Sequence, residues 1–297
     1  MFSLDMKAPI QKWEALGADL GIELWIQRDD LLPFPLAGNK VRKIYAELQG
    51  QSTLPDVLIT NGSIDSNHCR TTAWMATLCG IHSHLVLHGD PYIRPEESRA
   101  LRLLEDLGAT YEVVIPSDIH DSILQRVDLS ISSGENPYVI PGGCHSPLGA
   151  QAYRDAGLEV FGSIRPDVVY VASGTGATQG GLVAAAEAVT PSSRVIGISV
   201  ARPQDRGVAP VMEAAQWAGA KTLEVEFLDR FIGEGYASSS PAIRAAVGYG
   251  WSFGLPLDYT YTGKAFAALI DDARNGLLYG KKVLFWHTGG LWNALQQ

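Results

Sequence analysis

A chain of 297 residues with 46% hydrophobic and 19% charged residues has the composition of a globular protein, and this excludes disorder as its main state. Its 23 Lys+Arg against 32 Asp+Glu leave a formal net charge of −9, which repels phosphate backbones and excludes nucleic acid as the main ligand. No apolar run approaches membrane-spanning length, and Met1-Phe2-Ser3-Leu4-Asp5 lacks the basic start and apolar stretch of a signal peptide; the expectation is no membrane partner and a cytoplasmic location.

Short β-branched or aliphatic runs alternate with helical patterns along almost the whole chain, which predicts an α/β protein with largely parallel sheets. The first strand is expected from Glu23 to Gln27, followed by a loop-to-helix junction at Gly38-Asn39-Lys40-Val41-Arg42-Lys43. Strands from Asp56 to Asn61, His84 to His88 and Tyr111 to Ile115 then alternate with helices from Asn67 to Cys79, Glu96 to Leu107 and Ile119 to Ser130. Helices from Leu148 to Phe161 and Thr178 to Val189 flank a strand from Val168 to Ala172. Strands from Val195 to Val200 and Thr222 to Phe227, a helix from Gly263 to Asn275 and a strand from Lys282 to Trp286 complete the set. Two glycine-rich breaks, Pro141-Gly142-Gly143 and Ser173-Gly174-Thr175-Gly176, separate regions that could each carry a sheet, and a cleft between two sheets is where a ligand is expected. Three cysteines, Cys69, Cys79 and Cys144, follow no disulfide framework and point to a reducing compartment. His68-Cys69 and Cys144-His145 lack the spacing and flanking ligands of a metal site, so no metal is expected.

Five segments carry chemistry. Lys40, behind a glycine at a helix start, offers an amine that can form a Schiff base with an aldehyde, although a solvated helix-start lysine has the same look. The strand from Asp167 to Ala172 runs into Ser173-Gly174-Thr175-Gly176-Ala177-Thr178-Gln179-Gly180-Gly181, a small-residue loop at a helix start. Its free N–H groups and hydroxyls can surround a phosphate; the spacing is one residue too long for a dinucleotide fingerprint, and a tight turn without ligand is the alternative. Ser66-Asn67-His68 follows another strand, where Ser66 and Asn67 can cap the helix or hold a carboxylate. Near the C-terminus, Tyr261-Thr262-Gly263-Lys264 opens a helix and His287-Thr288-Gly289-Gly290 ends a strand.

Taken in order, Arg28-Asp29-Asp30, the Lys40 junction, Ser66-Asn67-His68, the Ser173 to Gly181 loop, Tyr261-Thr262-Gly263-Lys264 and His287-Thr288-Gly289-Gly290 resemble the 1-aminocyclopropane-1-carboxylate deaminase and D-cysteine desulfhydrase family. The resemblance implies pyridoxal 5′-phosphate as cofactor and the tryptophan synthase β-subunit-like fold of type II pyridoxal enzymes, two open twisted α/β domains. It implies a large cofactor-binding domain of residues 1–45 plus 156–297, a small domain of residues 46–155, and a homodimer. It makes Lys40 the Schiff-base lysine, Asn67 the partner of the cofactor's phenolic oxygen, and Ser173, Gly174, Thr175, Gly176, Ala177 and Thr178 the phosphate cup. Ser66, Asn67 and His68 become substrate-binding positions, with Ser66 also a nucleophile position. Tyr261 becomes the tyrosine beside the reacting atoms, and Tyr236 the second active-site tyrosine.

The resemblance also has departures. After Tyr236 the family usually continues Gly-x-Pro, whereas this chain reads Ala237-Ser238-Ser239. Deaminases of the cyclopropane acid typically have glutamate after the catalytic tyrosine and leucine after the late histidine; desulfhydrase-like members have hydroxyl residues, as here with Thr262 and Thr288. A carboxylate at the pyridine nitrogen holds its proton, whereas a threonine hydroxyl, at Thr288 for instance, can leave the ring neutral. The expectation is a lyase that eliminates a β-substituent from a small amino acid, giving a 2-oxo acid and ammonia. Cyclopropane ring opening, loss of sulfite from cysteate, a catalytically inactive cofactor-binding protein and a nucleotide-dependent oxidoreductase are the competing readings.

Overall fold

A computed structural model describes residues 3–222 and 224–296. Met1, Phe2, Leu223 and Gln297 lie outside the described residues, and with them part of the expected strand from Thr222 to Phe227 and of the signal-peptide reading.

In chain order the elements begin with β1 (Ile10–Lys12), α1 (Glu14–Leu20), β2 (Glu23–Arg28), α2 (Asn39–Gln49), β3 (Val57–Ser63), α3 (Asn67–Cys79) and β4 (His82–His88). They continue with α4 (Arg99–Asp106), β5 (Thr110–Val114), α5 (Ile119–Ser132), β6 (Pro137–Val139), α6 (Pro147–Ile164), β7 (Val168–Ser173), α7 (Ala177–Val189) and β8 (Arg194–Ser199). The last are α8 (Gln204–Trp217), β9 (Glu226–Leu228), α9 (Pro241–Ser252), α10 (Thr262–Arg274), β10 (Lys282–His287) and α11 (Leu291–Ala294). The chain divides into two units, one of Met1–Leu4 and Lys43–Cys144 and one of Asp5–Arg42 and His145–Gln297.

The larger unit is built on a six-stranded sheet of order β1-β2-β10-β7-β8-β9, parallel except for β1 against β2. β7 is buried along its whole length because both faces of the sheet are covered, which is why its sequence reads as an unbroken apolar run. Val168, Tyr170 and Ala172 enter one core with Ile26, Phe266 and Phe285, while Val169 and Val171 enter another with Phe161, Leu182 and Trp286. The register places His287 beside Arg28 and Trp286 beside Val171, so the carboxyl ends of three adjacent strands carry Arg28-Asp29-Asp30, His287-Thr288-Gly289 and Ser173-Gly174. In open α/β sheets that edge is where ligands bind.

The smaller unit has an all-parallel sheet of order β5-β4-β3-β6. Leu85 and Leu87 of β4 pack with Cys69 and Ala73 of α3 and with Leu101 and Leu104 of α4. The observed β9 begins at Glu226, short of the expected start at Thr222. Four helices lack a readable signal: α1 and α11 have only seven and four residues, α8 has Pro210 in its interior, and α9 starts behind a serine-rich stretch in which Ser240 Oγ accepts from Ile243 N (3.3 Å).

Candidate active site

Lys40 lies in the first turn of α2, half-buried. The residue before it acts as a bracket: Asn39 N donates to Thr288 O (2.9 Å), and Asn39 Nδ2 donates to Thr178 Oγ1 (3.1 Å). Lys40, the Ser173 loop and Thr288, far apart in sequence, therefore converge on one residue. The approach of the two loops is close enough to need glycine; a Cβ on Gly38 would stand 2.6 Å from Thr288 O and 3.1 Å from Gly289 Cα.

The turn of α2 is fixed from behind by Asp29, which is fully buried. Its Oδ1 accepts from Arg42 Nε (3.1 Å) and Nη2 (2.9 Å), and its Oδ2 accepts from Tyr153 OH (2.6 Å) and Trp286 Nε1 (2.8 Å). Burial first, and then the charge of Asp29, hold the Tyr153 phenol well above its ordinary value, so it stays a donor. Asp30 makes a second anchor. It takes both Arg28 Nε (2.8 Å) and Nη2 (2.6 Å) and stands 3.2 Å from His287 Nδ1, while His287 Nε2 donates to Pro256 O (2.6 Å). The imidazole is thus locked immediately before Thr288.

The loop after β7 has the form of an anion cradle. Gly176 caps α7 at φ +103 with no side-chain hydrogen bond to the helix start, and a Cβ there would lie 2.9 Å from Pro210 C. Ala177 and Thr178 are buried in the first turn, while Gly174 and Thr175 are half-buried. Ser173 Oγ is buried and has no hydrogen-bond partner among the described residues. A buried hydroxyl left without a partner is costly unless something fills the site.

The two tyrosines meet in the same unit. Tyr236 OH lies 2.5 Å from Tyr261 OH, with the rings edge-on at 5.9 Å. Asp258, fully buried, organises the start of α10 by accepting from Thr260 N (3.0 Å), Tyr261 N (2.9 Å), Thr262 N (2.9 Å) and Thr262 Oγ1 (2.6 Å). Burial raises the Asp258 carboxyl, opposed by those hydrogen bonds and by His287. Thr262 Oγ1 also accepts from Asp258 N (3.0 Å), so its hydroxyl is committed to Asp258. Ala237 adopts φ +59, the left-handed region, where a glycine would sit without strain.

In the smaller unit, Ser66 is the N-cap of α3, its Oγ accepting from His68 N (3.2 Å) and Cys69 N (3.3 Å). Arg70 Nη2 donates to Asn67 Oδ1 (2.8 Å), which orients the NH2 end of that amide as the donor. The His68 ring is buried, its Nε2 2.7 Å from Thr60 Oγ1, which itself donates to Ile140 O (2.7 Å).

The profile of the family described as "Pyridoxal-phosphate dependent enzyme" matches residues 3–289. The chain belongs to that family. The enzyme is 33% identical over 302 residues to the D-cysteine desulfhydrase of Klebsiella pneumoniae strain 342, covering 95% of this chain and 91% of that protein. The D-cysteine desulfhydrase of Yersinia enterocolitica is 32% identical over 301 residues, with coverage of 95% and 91%. A crystal structure described as an ACC deaminase homologue superposes with a TM-score of 0.85 at 30% identity, over 98% of this chain and 91% of that one. The processed form of threonine deaminase isoform 2 from Solanum lycopersicum, at 15% identity and a TM-score of 0.70 over 99% and 83% of the two chains, shares the fold of a type II pyridoxal enzyme.

The cofactor is pyridoxal phosphate, and the residues fit it. The uncapped α7 start and the Ser173 and Thr178 hydroxyls would hold its phosphate side, and the Lys40 amine its aldehyde. When bound, it supplies a ring that takes up the charge left as Cα loses its proton. Sequence reasoning missed Asn39, Asp258 and the Asp29–Arg42 pair as supports. Asn39, Asp29 and Arg42 lay inside quoted motifs, but their partners are distant in sequence.

Proposed function

We propose that the enzyme catalyses β-elimination from a small amino acid of the D-cysteine type, and that the paired Tyr236 and Tyr261 hydroxyls are the observation that carries this reading. The ε-amine of Lys40 takes the proton from Cα. The bond from Cβ to its substituent breaks, and Tyr261 gives that group its proton, backed by Tyr236. Hydrolysis then yields a 2-oxo acid and ammonia. Ser173, Gly174, Thr175, Gly176, Ala177 and Thr178 are the proposed phosphate cradle, and Thr288 the proposed partner of the ring nitrogen. Asn67 is the proposed donor to the phenolic oxygen. Ser66, Asn67 and His68 are the proposed substrate-carboxylate group, His68 by its main chain and by fixing the turn. A hydroxyl pair suits a leaving group that needs one proton, and the identity to D-cysteine desulfhydrases supports the same chemistry.

The proposed assembly is a cytoplasmic homodimer; none of the three cysteines forms a disulfide, in keeping with a reducing compartment. Sedimentation tests the homodimer and cell fractionation the location. The decisive experiment is a substrate panel of both cysteine enantiomers, cysteate and 1-aminocyclopropane-1-carboxylate, assayed for sulfide, sulfite, pyruvate and 2-oxobutyrate. Sulfide with pyruvate from cysteine is expected. Product from the cyclopropane acid alone replaces the reading by ring opening, and a visible cofactor band with no product from any substrate replaces it by an inactive cofactor-binding protein. Lys40→Ala should abolish both the visible band and borohydride fixation of cofactor at that side chain.

A further inference from the structure

Lys264 is fully buried and belongs to none of the groups assigned above. An ammonium has three N–H donors, and three main-chain carbonyls take them: Val200 O at 2.7 Å, Ile232 O at 2.9 Å and Gly235 O at 2.8 Å. Val200 follows the end of β8, whereas Ile232 and Gly235 belong to the turn that presents Tyr236. Lys264 itself lies three residues after Tyr261, on the same side of the first turn of α10. One side chain therefore ties the loop bearing one tyrosine to the helix bearing the other.

That loop needs a tie. Gly233 and Gly235 stand at φ +62 and +126, and Ala237 occupies the left-handed region, which strains a residue with a Cβ. Ser238 Oγ donates to Ile232 O (3.2 Å) and Gly235 O (2.9 Å), which closes the loop on itself without joining it to α10. Arg230, at the start of this segment, joins it to α10 through Asp271 Oδ2 (2.8 Å) and Asp272 Oδ2 (2.6 Å), and nearer Tyr236 the lysine adds a second tie through charge-assisted bonds, stronger than neutral ones.

We propose that Lys264 is a positioning residue, which holds the Tyr236 hydroxyl against that of Tyr261 so that the pair delivers its proton as one unit. The proposal rests on the reading of the two tyrosines as the acid. An apolar side chain of similar length would fill the same space and leave the loop without its tether, so a space-filling role and a tethering role make different predictions.

The test is Lys264→Met in the cofactor-loaded enzyme, followed by hydrogen exchange and by kinetics. Amide protection around residues 232–236 falls while that of α10 is kept, the visible cofactor band is unchanged, and kcat drops by about 10²-fold, the worth of a positioned acid, with KM near the wild-type value. Tyr236→Phe loses a similar factor, and the double variant loses no more than either single one. Wild-type protection of the loop in K264M, or a double variant whose loss is the product of the two single losses, overturns the proposal. Should K264M fail to fold, K264Q, with two donors for the three carbonyls, makes the same comparison; loss of fold in both overturns the proposal too, since it makes Lys264 a support of the whole core. Exchange requires no substrate, so an enzyme that yields no product from any amino acid defeats the elimination reading while the tether is still decided by loop protection.

Discussion

Replacing Asp29 with asparagine keeps the size of a fully buried side chain and removes its charge, leaving the Arg42 guanidinium, 8% exposed, opposite a neutral amide. Four close donors converge on this carboxylate, two from Arg42, one from Tyr153 and one from Trp286, and an amide that presents one oxygen cannot accept them all. Breaking a buried ion pair by removing one partner costs about 3–5 kcal/mol. For a unit of this size each kcal/mol lowers the melting temperature by about 2–4 °C, so D29N should melt roughly 6–20 °C below the wild type. Because Arg42 lies two residues after Lys40 on α2, cofactor affinity should fall with it. Urea unfolding followed by tryptophan fluorescence measures the first effect, and titration of the cofactor-free protein the second. D29N/R42M removes the stranded cation as well and should recover much of the loss. If D29N unfolds within about 1 kcal/mol of the wild type, below the range for a broken buried pair, or if R42M adds its full cost on top, the pair is not what holds the lysine turn.

Ser173→Ala should act with opposite sign in the two forms of the protein. Removing an unsatisfied buried hydroxyl stabilises the cofactor-free protein by up to about 1–3 kcal/mol, whereas cofactor affinity weakens; melting of both forms checks this, and a destabilised cofactor-free protein with unchanged affinity refutes it. Gly38→Ala forces a Cβ to 2.6 Å from a main-chain oxygen that cannot step aside, so about 1–3 kcal/mol of stability and most of the bound cofactor should be lost. Wild-type absorbance and melting in that variant would show the contact to be slack. Burial pushes Lys264 down to about 8, against an ordinary lysine value of 10.5. Between those values the unfolded chain holds the extra proton, so the stability of the wild type relative to K264M should rise with pH across that window. Unfolding free energies of the two proteins at about pH 8 and pH 10, near the two ends of that window, give the sign, and a fall contradicts it.

The sequence discloses this fold where burial is two-sided or a cap is explicit. β7 reads clearly because both its faces are buried and Val168 to Ala172 form one apolar and aromatic run, and α3 because Ser66 and Gly80 mark its ends. α8 is hidden because Pro210 breaks the pattern that its buried Val211, Ala214 and Ala215 would otherwise make. The residues of the proposed cradle stand out for a chemical reason: close approach to an anion would demand small residues and hydroxyls at a helix start, and those identities are written in the chain. The supports are less so.

Thr262 shows why. Its hydroxyl reads equally well as a partner for a ring nitrogen or as part of a helix start, and the choice is made by Asp258, four residues upstream and outside the motif. Lys264 is harder still, since its partners are the carbonyls of Val200, Ile232 and Gly235, and a main-chain acceptor carries no residue identity for a pattern to detect. Side chains that meet ligands are constrained in type and so leave a signature; side chains that position them are constrained by where the backbone passes. A motif such as Tyr261-Thr262-Gly263-Lys264 therefore mixes both kinds, with Tyr261 the proposed proton donor, Gly263 selected by the Asp258 oxygen 2.5 Å from where its Cβ would stand, and Lys264 by three carbonyls that only the fold assembles.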